Sequence, residues 1–145
     1  MNNMPKMARQ LRAEAGFTLL ELMIVVAVVA ILSTIAYASY QDQIVKSRRA
    51  AAASCLQQGA QFLERHYTTN LTYSGAAAPT CDAEVAAHYA DPSFVGGAAG
   101  AKTYTLQIVP KGAQSTRDTL CGTLTLTQQG VRGESGTATT ADQCW

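Results

Sequence analysis

The first feature of this sequence is a long apolar segment near its N-terminus. From Phe17 to Tyr40 the only charged side chain is that of Glu21. At a rise of about 1.5 Å per residue, a helix over residues 17–40 is long enough to cross a bilayer. The pattern therefore predicts a helix that lies in a membrane or packs against other apolar helices.

Beyond Tyr40 the apolar side chains recur at spacings of three and four, with polar side chains between them. They are Ile44, Ala52, Cys55, Leu56, Gly59, Phe62, Leu63 and Tyr67. This periodicity predicts an amphipathic helix over residues 41–67 that continues the apolar helix without a break. The first half of one helix, from Phe17 to about Tyr67, would anchor the chain, and the second half would pack against a sheet.

Residues 68–102 are rich in Thr, Ala, Gly and Pro, which favours a long connecting loop. Apolar and polar residues then alternate over 104–109 and again over 120–127, so each stretch is predicted to be a strand. The residues between these strands, 110–118, are predicted to form a turn.

The strands predict a small antiparallel sheet over residues 103–135. Its leucines and Ile108 would face the helix, and its threonines would face solvent. Residues 136–145 follow as a C-terminal tail. The predicted fold class is α+β, with a long N-terminal helix packed on the sheet and a head domain over residues 41–145.

A short basic leader precedes the apolar segment. The chain of 145 residues has a net charge of +1, which leaves nucleic-acid binding open. Lys6, Arg9 and Arg12 precede the apolar segment, and the small residue Gly16 lies before it rather than after it. An ordinary secretory signal has its cleavage site after the apolar stretch. Cleavage at Gly16 would remove residues 1–16 and keep the apolar helix.

Four cysteines, Cys55, Cys81, Cys121 and Cys144, predict two disulfides. They allow three pairings. We favour Cys55 with Cys81, which ties the loop to the helix before it, and Cys121 with Cys144, which ties the tail to a strand. Disulfides form in an oxidising compartment, so the head is expected on the periplasmic side or outside the cell, with the leader in the cytoplasm.

The stretch from Gly16 to Ala27, GFTLLELMIVVA, resembles the prepilin signature of type IV pilins and type II secretion pseudopilins. The resemblance implies that a prepilin peptidase cuts between Gly16 and Phe17 and methylates the new amino group of Phe17. It also implies that Glu21 neutralises the Phe17 amine of a neighbouring subunit and so sets the register between subunits. Further partners would be other pilin subunits, in a helical fibre, and the pilus assembly machinery of the inner membrane.

The second half of the chain is similar to PilE-type minor pilins. The stretches that carry this similarity are Glu64-Arg65-His66-Tyr67, Tyr73, Pro110-Lys111-Gly112-Ala113-Gln114, Cys121-Gly122-Thr123-Leu124 and Cys144-Trp145. It implies the type IV pilin fold and a minor pilin needed for pilus assembly or priming, hence for twitching motility, adhesion or DNA uptake. The chain would lie in the inner membrane before assembly and in a surface pilus afterwards.

Three other functions stay open as alternatives: a major pilin, a type II secretion pseudopilin, and a membrane-anchored periplasmic binding protein. Catalysis is not expected, because the sequence has no nucleophile elbow, paired carboxylate motif or phosphate-binding glycine loop. His66 and His88 have no third ligand at useful spacing, so neither a metal nor another cofactor is expected.

Overall fold

A computed structural model describes residues 16–145 of the chain. The predicted leader, with Lys6, Arg9 and Arg12, lies outside the described residues except for Gly16. The chain divides into two units, with the boundary between Ala38 and Ser39. We describe the second unit, residues 39–145, as the head.

The long helix predicted from the sequence is present as α1, Leu19–Asn70. It ends three residues later than expected. The Asn70 side chain donates to the carbonyl of His66 at 3.0 Å, and Leu71 follows with a φ of 56°. A left-handed residue cannot continue a right-handed helix, so α1 stops there.

The head contains a four-stranded antiparallel sheet in the order β1-β2-β3-β4. Its strands are β1 Ser93–Phe94, β2 Thr105–Ile108, β3 Leu124–Thr127 and β4 Arg132–Glu134. In β2 and β3, Leu106 lies opposite Leu126, and Ile108 lies opposite Leu124. Because side chains alternate across a strand, this register puts all four apolar side chains on one face.

That apolar face packs against the amphipathic part of α1, as the sequence predicts. Ala52, Leu56 and Leu63 of α1 share a core with Leu106 and other buried residues. The remaining members from the strands and loops include Tyr73, Val85, Tyr89, Phe94, Tyr104, Ile108, Leu124 and Leu126. The predicted α+β class, with a long helix on a small antiparallel sheet, is confirmed.

Two segments that we expected to be irregular contain regular structure. Within the predicted loop 68–102, the Asp82 side chain caps a short helix, α2 Ala83–Ala86, and β1 follows it. Within the predicted turn 110–118 lies a second short helix, α3 Ala113–Arg117. The strand β1 pairs with β2, and α3 is hydrogen-bonded to α1, so contacts that are remote in sequence hold these two elements and local periodicity does not reveal them.

The predicted strand over 120–127 begins four residues late, at Leu124. Leu120 is 42% exposed rather than buried, and Gly122 has a φ of 59°, which breaks the extended backbone. A Cβ on Gly122 would lie 2.7 Å from the Ser135 hydroxyl oxygen. The C-terminal tail also departs from the expectation, because Ala141–Gln143 form a turn of 3₁₀ helix.

A buried polar network joins α3 to α1. Asp118 accepts from Arg49 Nε at 2.9 Å and forms an ion pair with the same guanidinium. Gln114 donates to the Val45 carbonyl at 3.1 Å and to the Tyr89 hydroxyl at 3.1 Å. The Arg49 and Asp118 side chains are almost fully buried, so the cost of removing each charge from water is offset by its pairing with the other.

Replacing Arg49 by alanine should destabilise the head by roughly 3 to 5 kcal/mol, because Asp118 would be left buried without its counter-ion. Denaturant unfolding in detergent micelles can be followed through Trp145, the single tryptophan. Arg65→Ala removes the same charge from an exposed position of α1 and should change the unfolding free energy by less than about 0.5 kcal/mol. Equal effects of the two substitutions would contradict the stabilising role of the buried pair.

Candidate functional site

The apolar segment of α1 has no protein cover. None of its most apolar window is buried, and the mean hydropathy of that window is 2.7. The large side chains that are exposed between residues 17 and 40 are Phe17, Leu19, Leu20, Leu22, Met23, Ile24, Val25, Val26, Val28, Val29, Ile31, Leu32, Ile35, Tyr37 and Tyr40. An apolar surface of this extent requires a membrane or further apolar helices around it.

The residues of the predicted cleavage and register sites lie at the start of this segment. Gly16 and Phe17 precede the helix, and Phe17 is 78% exposed. The Thr18 hydroxyl accepts from the backbone amide of Glu21 at 3.2 Å, so Thr18 caps α1. Glu21 therefore occupies the third helical position, where a carboxylate is favoured by the helix dipole and by the capping-box pattern. Its proposed pairing with a neighbouring chain stays a prediction.

The structure contains two disulfides, Cys55–Cys81 and Cys121–Cys144. These are the pairs that the sequence analysis favours. The first ties the segment before α2 to α1 and lines a groove of about 590 Å³ along the helix, together with Phe62. The second ties the 3₁₀ turn to the segment before β3. Both lie in the head.

The end of α1 is fixed to the sheet by tyrosines. The hydroxyls of Tyr73 and Tyr104 both donate to the Glu64 carboxylate, at 2.9 and 3.1 Å. Burial and the nearby Glu64 carboxylate raise the pKa of Tyr73 to about 12 and also raise the pKa of Tyr104. The phenols thus remain neutral donors, and the charge of Glu64 is engaged within the head.

A second concave surface lies at the same end of the sheet, between the β1–β2 connection and the β3–β4 turn. We call it the loop cleft; its volume is about 570 Å³. Its lining consists of uncharged residues: Val95, Ala98, Gly100, Thr103, Tyr104, Thr105, Thr127, Gln128, Gln129 and Val131. Such a surface can offer amide and hydroxyl groups to a polar ligand.

Two exposed cations flank the loop cleft. Lys102 lies between the lining residues Gly100 and Thr103, and Arg132 follows Val131. The Arg132 guanidinium lies 5.4 Å from the ring centroid of Trp145, whose indole donates to the Gly133 carbonyl at 3.1 Å. This stacking restrains the guanidinium while leaving it accessible. The arrangement suits an anionic partner.

Sequence reasoning missed this cluster. Lys102 falls in the predicted loop 68–102 and Arg132 in the predicted sheet region 103–135, and the two are 30 positions apart in the sequence. Only the antiparallel pairing of β2 with β3 and of β3 with β4 brings them to one end of the sheet. The available signal was the terminal Cys144-Trp145, since the disulfide of Cys144 places the indole beside Arg132.

The two histidines lie apart from these features. His66 Nδ1 lies 3.1 Å from the carbonyl of Thr72, at the end of α1. His88 follows α2. In residues 16–145 there is no group of three His, Cys, Asp or Glu side chains that could hold a metal ion.

Two protein families match the sequence. The family described as "Type IV minor pilin ComP, DNA uptake sequence receptor" matches residues 38–125, which is more than half of the chain. The family described as "Prokaryotic N-terminal methylation motif" matches residues 11–37 and so includes Gly16, Phe17 and Glu21.

Curated relatives match over a shorter stretch. The type IV major alpha-pilin and the fimbrial protein Q of Moraxella bovis are each 47% identical to this chain over 49 residues. That stretch is 34% of this chain and 31% of each relative, so the chain spans less than a third of the length of these proteins.

Two solved pilin structures are similar to this chain to different degrees. The non-core minor pilin PilV of Neisseria meningitidis aligns over 68% of this chain and 94% of its own, with a TM-score of 0.52 and 20% identity, which shows a common fold. A type IV pilin from Shewanella oneidensis aligns over 70% of this chain and 97% of its own, with a TM-score of 0.48 and 29% identity.

Proposed function

The chain belongs to the type IV minor pilin ComP family, and from this premise we propose that it is a minor subunit that primes or assembles a type IV pilus. The resemblance to pilins drawn from the prepilin signature is confirmed. The family and the fold are those of structural pilins rather than enzymes. The single observation that supports a role in the fibre is the uncovered apolar segment of α1.

The uncovered apolar segment of α1 fits one environment before assembly and another after it. Before assembly the segment fits a membrane anchor, because it is long and apolar enough to cross a bilayer. In a fibre the same surface would be covered by the apolar segments of other subunits. A contact between unlike surfaces of like chains builds a helical filament when its rotation does not close into a ring.

Processing and orientation follow from the same proposal. A prepilin peptidase would cut between Gly16 and Phe17 and methylate the Phe17 amine, leaving α1 at the start of the mature chain. The two disulfides need an oxidising compartment, which favours a periplasmic head and a cytoplasmic leader. The assembly machinery of the inner membrane would then extract the mature chain into the growing fibre.

Glu21 is proposed to set the register between subunits. It is the only charged residue between Phe17 and Tyr40, and a carboxylate within hydrocarbon costs on the order of 2 to 3 kcal/mol. The amine of a processed Phe17 on a neighbouring chain would compensate that charge. The hydrogen bond to the Thr18 hydroxyl comes from the backbone amide of Glu21, so this helix cap does not use the Glu21 carboxylate and the two features can be separated.

A pair of substitutions separates register from capping. Glu21→Gln keeps the capping-box side chain but removes the charge, so its fraction in sheared fibres should fall by about tenfold or more, while its amount in the inner membrane stays unchanged. Thr18→Ala removes the cap but keeps the charge and should enter fibres to within about twofold of the unchanged chain. Quantitative immunoblots of fibre and membrane fractions measure both. Normal incorporation of the Glu21→Gln chain would contradict the register role.

The family description adds a second function, the reception of DNA during uptake. We place this contact at the loop cleft, because Lys102 and Arg132 can each neutralise a phosphate there. The amides of Gln128 and Gln129 could contact base edges beside them. No comparable observation favours twitching motility or adhesion, which stay alternatives.

DNA binding by the mature chain in detergent tests this placement. Changing Lys102 and Arg132 together to glutamine should lower the slope of log K against log salt by about 2, since each phosphate contact contributes about 0.9. Lys46→Gln with Arg48→Gln removes the same charge at the other end of the head and should leave the slope unchanged. An equal loss from both pairs would show that only net charge matters and would contradict the assignment to the loop cleft.

A further inference from the structure

The short helix α3 lies against the first turns of α1 that follow the apolar segment. Arg117 Nη1 donates to Gln41 Oε1 at 2.6 Å, Gln114 donates to the Val45 carbonyl, and Asp118 pairs with Arg49. Gln41 is the residue directly after Tyr40. The fold thus brings Arg117, which is 76 positions away in sequence, to the point where the apolar segment ends.

The two arginines on this contact have different environments. Arg49 is buried, and its guanidinium is engaged by Asp118 and by the Gln143 carbonyl. Arg117 is exposed, and its described hydrogen bond uses one of the five N–H donors of a guanidinium. Arg49 therefore holds α3 in place. Most N–H donors of the Arg117 guanidinium, by contrast, face solvent and can bind a ligand.

The charges around Arg117 favour an anionic surface at short range rather than a strong long-range field. Lys46 is exposed on α1, and helical side chains lean toward the N-terminus of their helix, which here is the direction of the apolar segment. Arg48 lines a cavity of about 50 Å³ together with Glu84 and His88. Of the residues next in sequence to this contact, Asp42 follows Gln41 and Asp142 precedes Gln143, and both carboxylates are exposed.

The position along the chain indicates the chemistry of the partner. The part of α1 from Leu19 to Tyr40 is about 33 Å long, and the hydrocarbon of a bilayer is about 30 Å thick. When the segment spans the hydrocarbon, Gln41 falls at the depth of the lipid headgroups. The guanidinium beside it has the planar donor geometry that binds phosphate oxygens in pairs. Tyr37 and Tyr40, both 64% exposed, have the amphipathic rings common at this depth.

We propose that Arg117, assisted by Lys46, binds the phosphate of anionic phospholipids and holds the head against the membrane surface before the subunit enters a fibre. This inference rests on the proposed membrane-anchored precursor. The sequence predicts a turn where α3 lies. In this proposal α3 positions a lipid-binding cation beside Gln41, where the head begins.

The test uses the mature full-length chain in nanodiscs of phosphatidylcholine, with or without an equal share of phosphatidylglycerol. A gadolinium-chelating lipid marks the membrane surface, and NMR measures the relaxation that it causes at the amides of Ala113–Arg117. The lipid-bound population should rise by about fivefold with phosphatidylglycerol, the effect of about one basic residue at an anionic surface. High salt, about 0.5 M, should reverse the rise.

Arg117→Gln should abolish the response to phosphatidylglycerol, and Lys46→Gln should reduce it. Arg132→Gln, the same substitution at the far end of the sheet, should leave it unchanged. A full response in the Arg117→Gln chain would overturn the proposal, as would equal relaxation in both lipids. If the relaxation appears only when two copies of the chain share a nanodisc, the partner of Arg117 is a second subunit rather than lipid, and the proposal is wrong. Failure of the chain to insert into nanodiscs would instead refute the membrane-anchored precursor itself.

Discussion

The rest of this molecule depends on one constraint, the uncovered apolar surface of α1 between Phe17 and Tyr40. In a soluble chain this surface would drive aggregation, and nothing in residues 16–145 covers it. A lipid bilayer or a bundle of like helices removes it from water equally well. Under the proposed function the chain transfers from a membrane to a fibre, and the same surface of α1 is removed from water in each.

The head must stay folded through this transfer with a small core. Two disulfides and the buried pair of Arg49 with Asp118 supply attachments that are remote in sequence. The pairing of β2 with β3 and of β3 with β4, together with the buried pair, also puts exposed cations at both ends of the head. Lys102 and Arg132 flank the loop cleft at one end, and Arg117 lies beside Gln41 at the other. The proposed contacts with DNA and with lipid thus use separate surfaces.

Sequence reasoning succeeded where the determinants are local. The apolar segment, the spacing of Leu56 and Leu63 on α1 and the alternation of Leu106 and Ile108 are all short-range patterns. It failed where contacts across the fold decide the structure. The strand β1 has two residues and is too short to show an alternation of apolar and polar residues. Gly122 interrupts the alternation that otherwise includes Leu120. The helix α3 is held by partners on α1. Arg117 and Arg132 acquire their positions only through those long-range contacts.

The intact mass of the protein in sheared surface fibres, measured before and after reduction, tests the central claim most directly. The account predicts a chain that begins at N-methylated Phe17 and gains four hydrogens when its two disulfides are reduced. That result would establish processing, export and incorporation together. Absence of the chain from the fibres, or a mass that includes residues 1–16, would contradict its role as a pilus subunit.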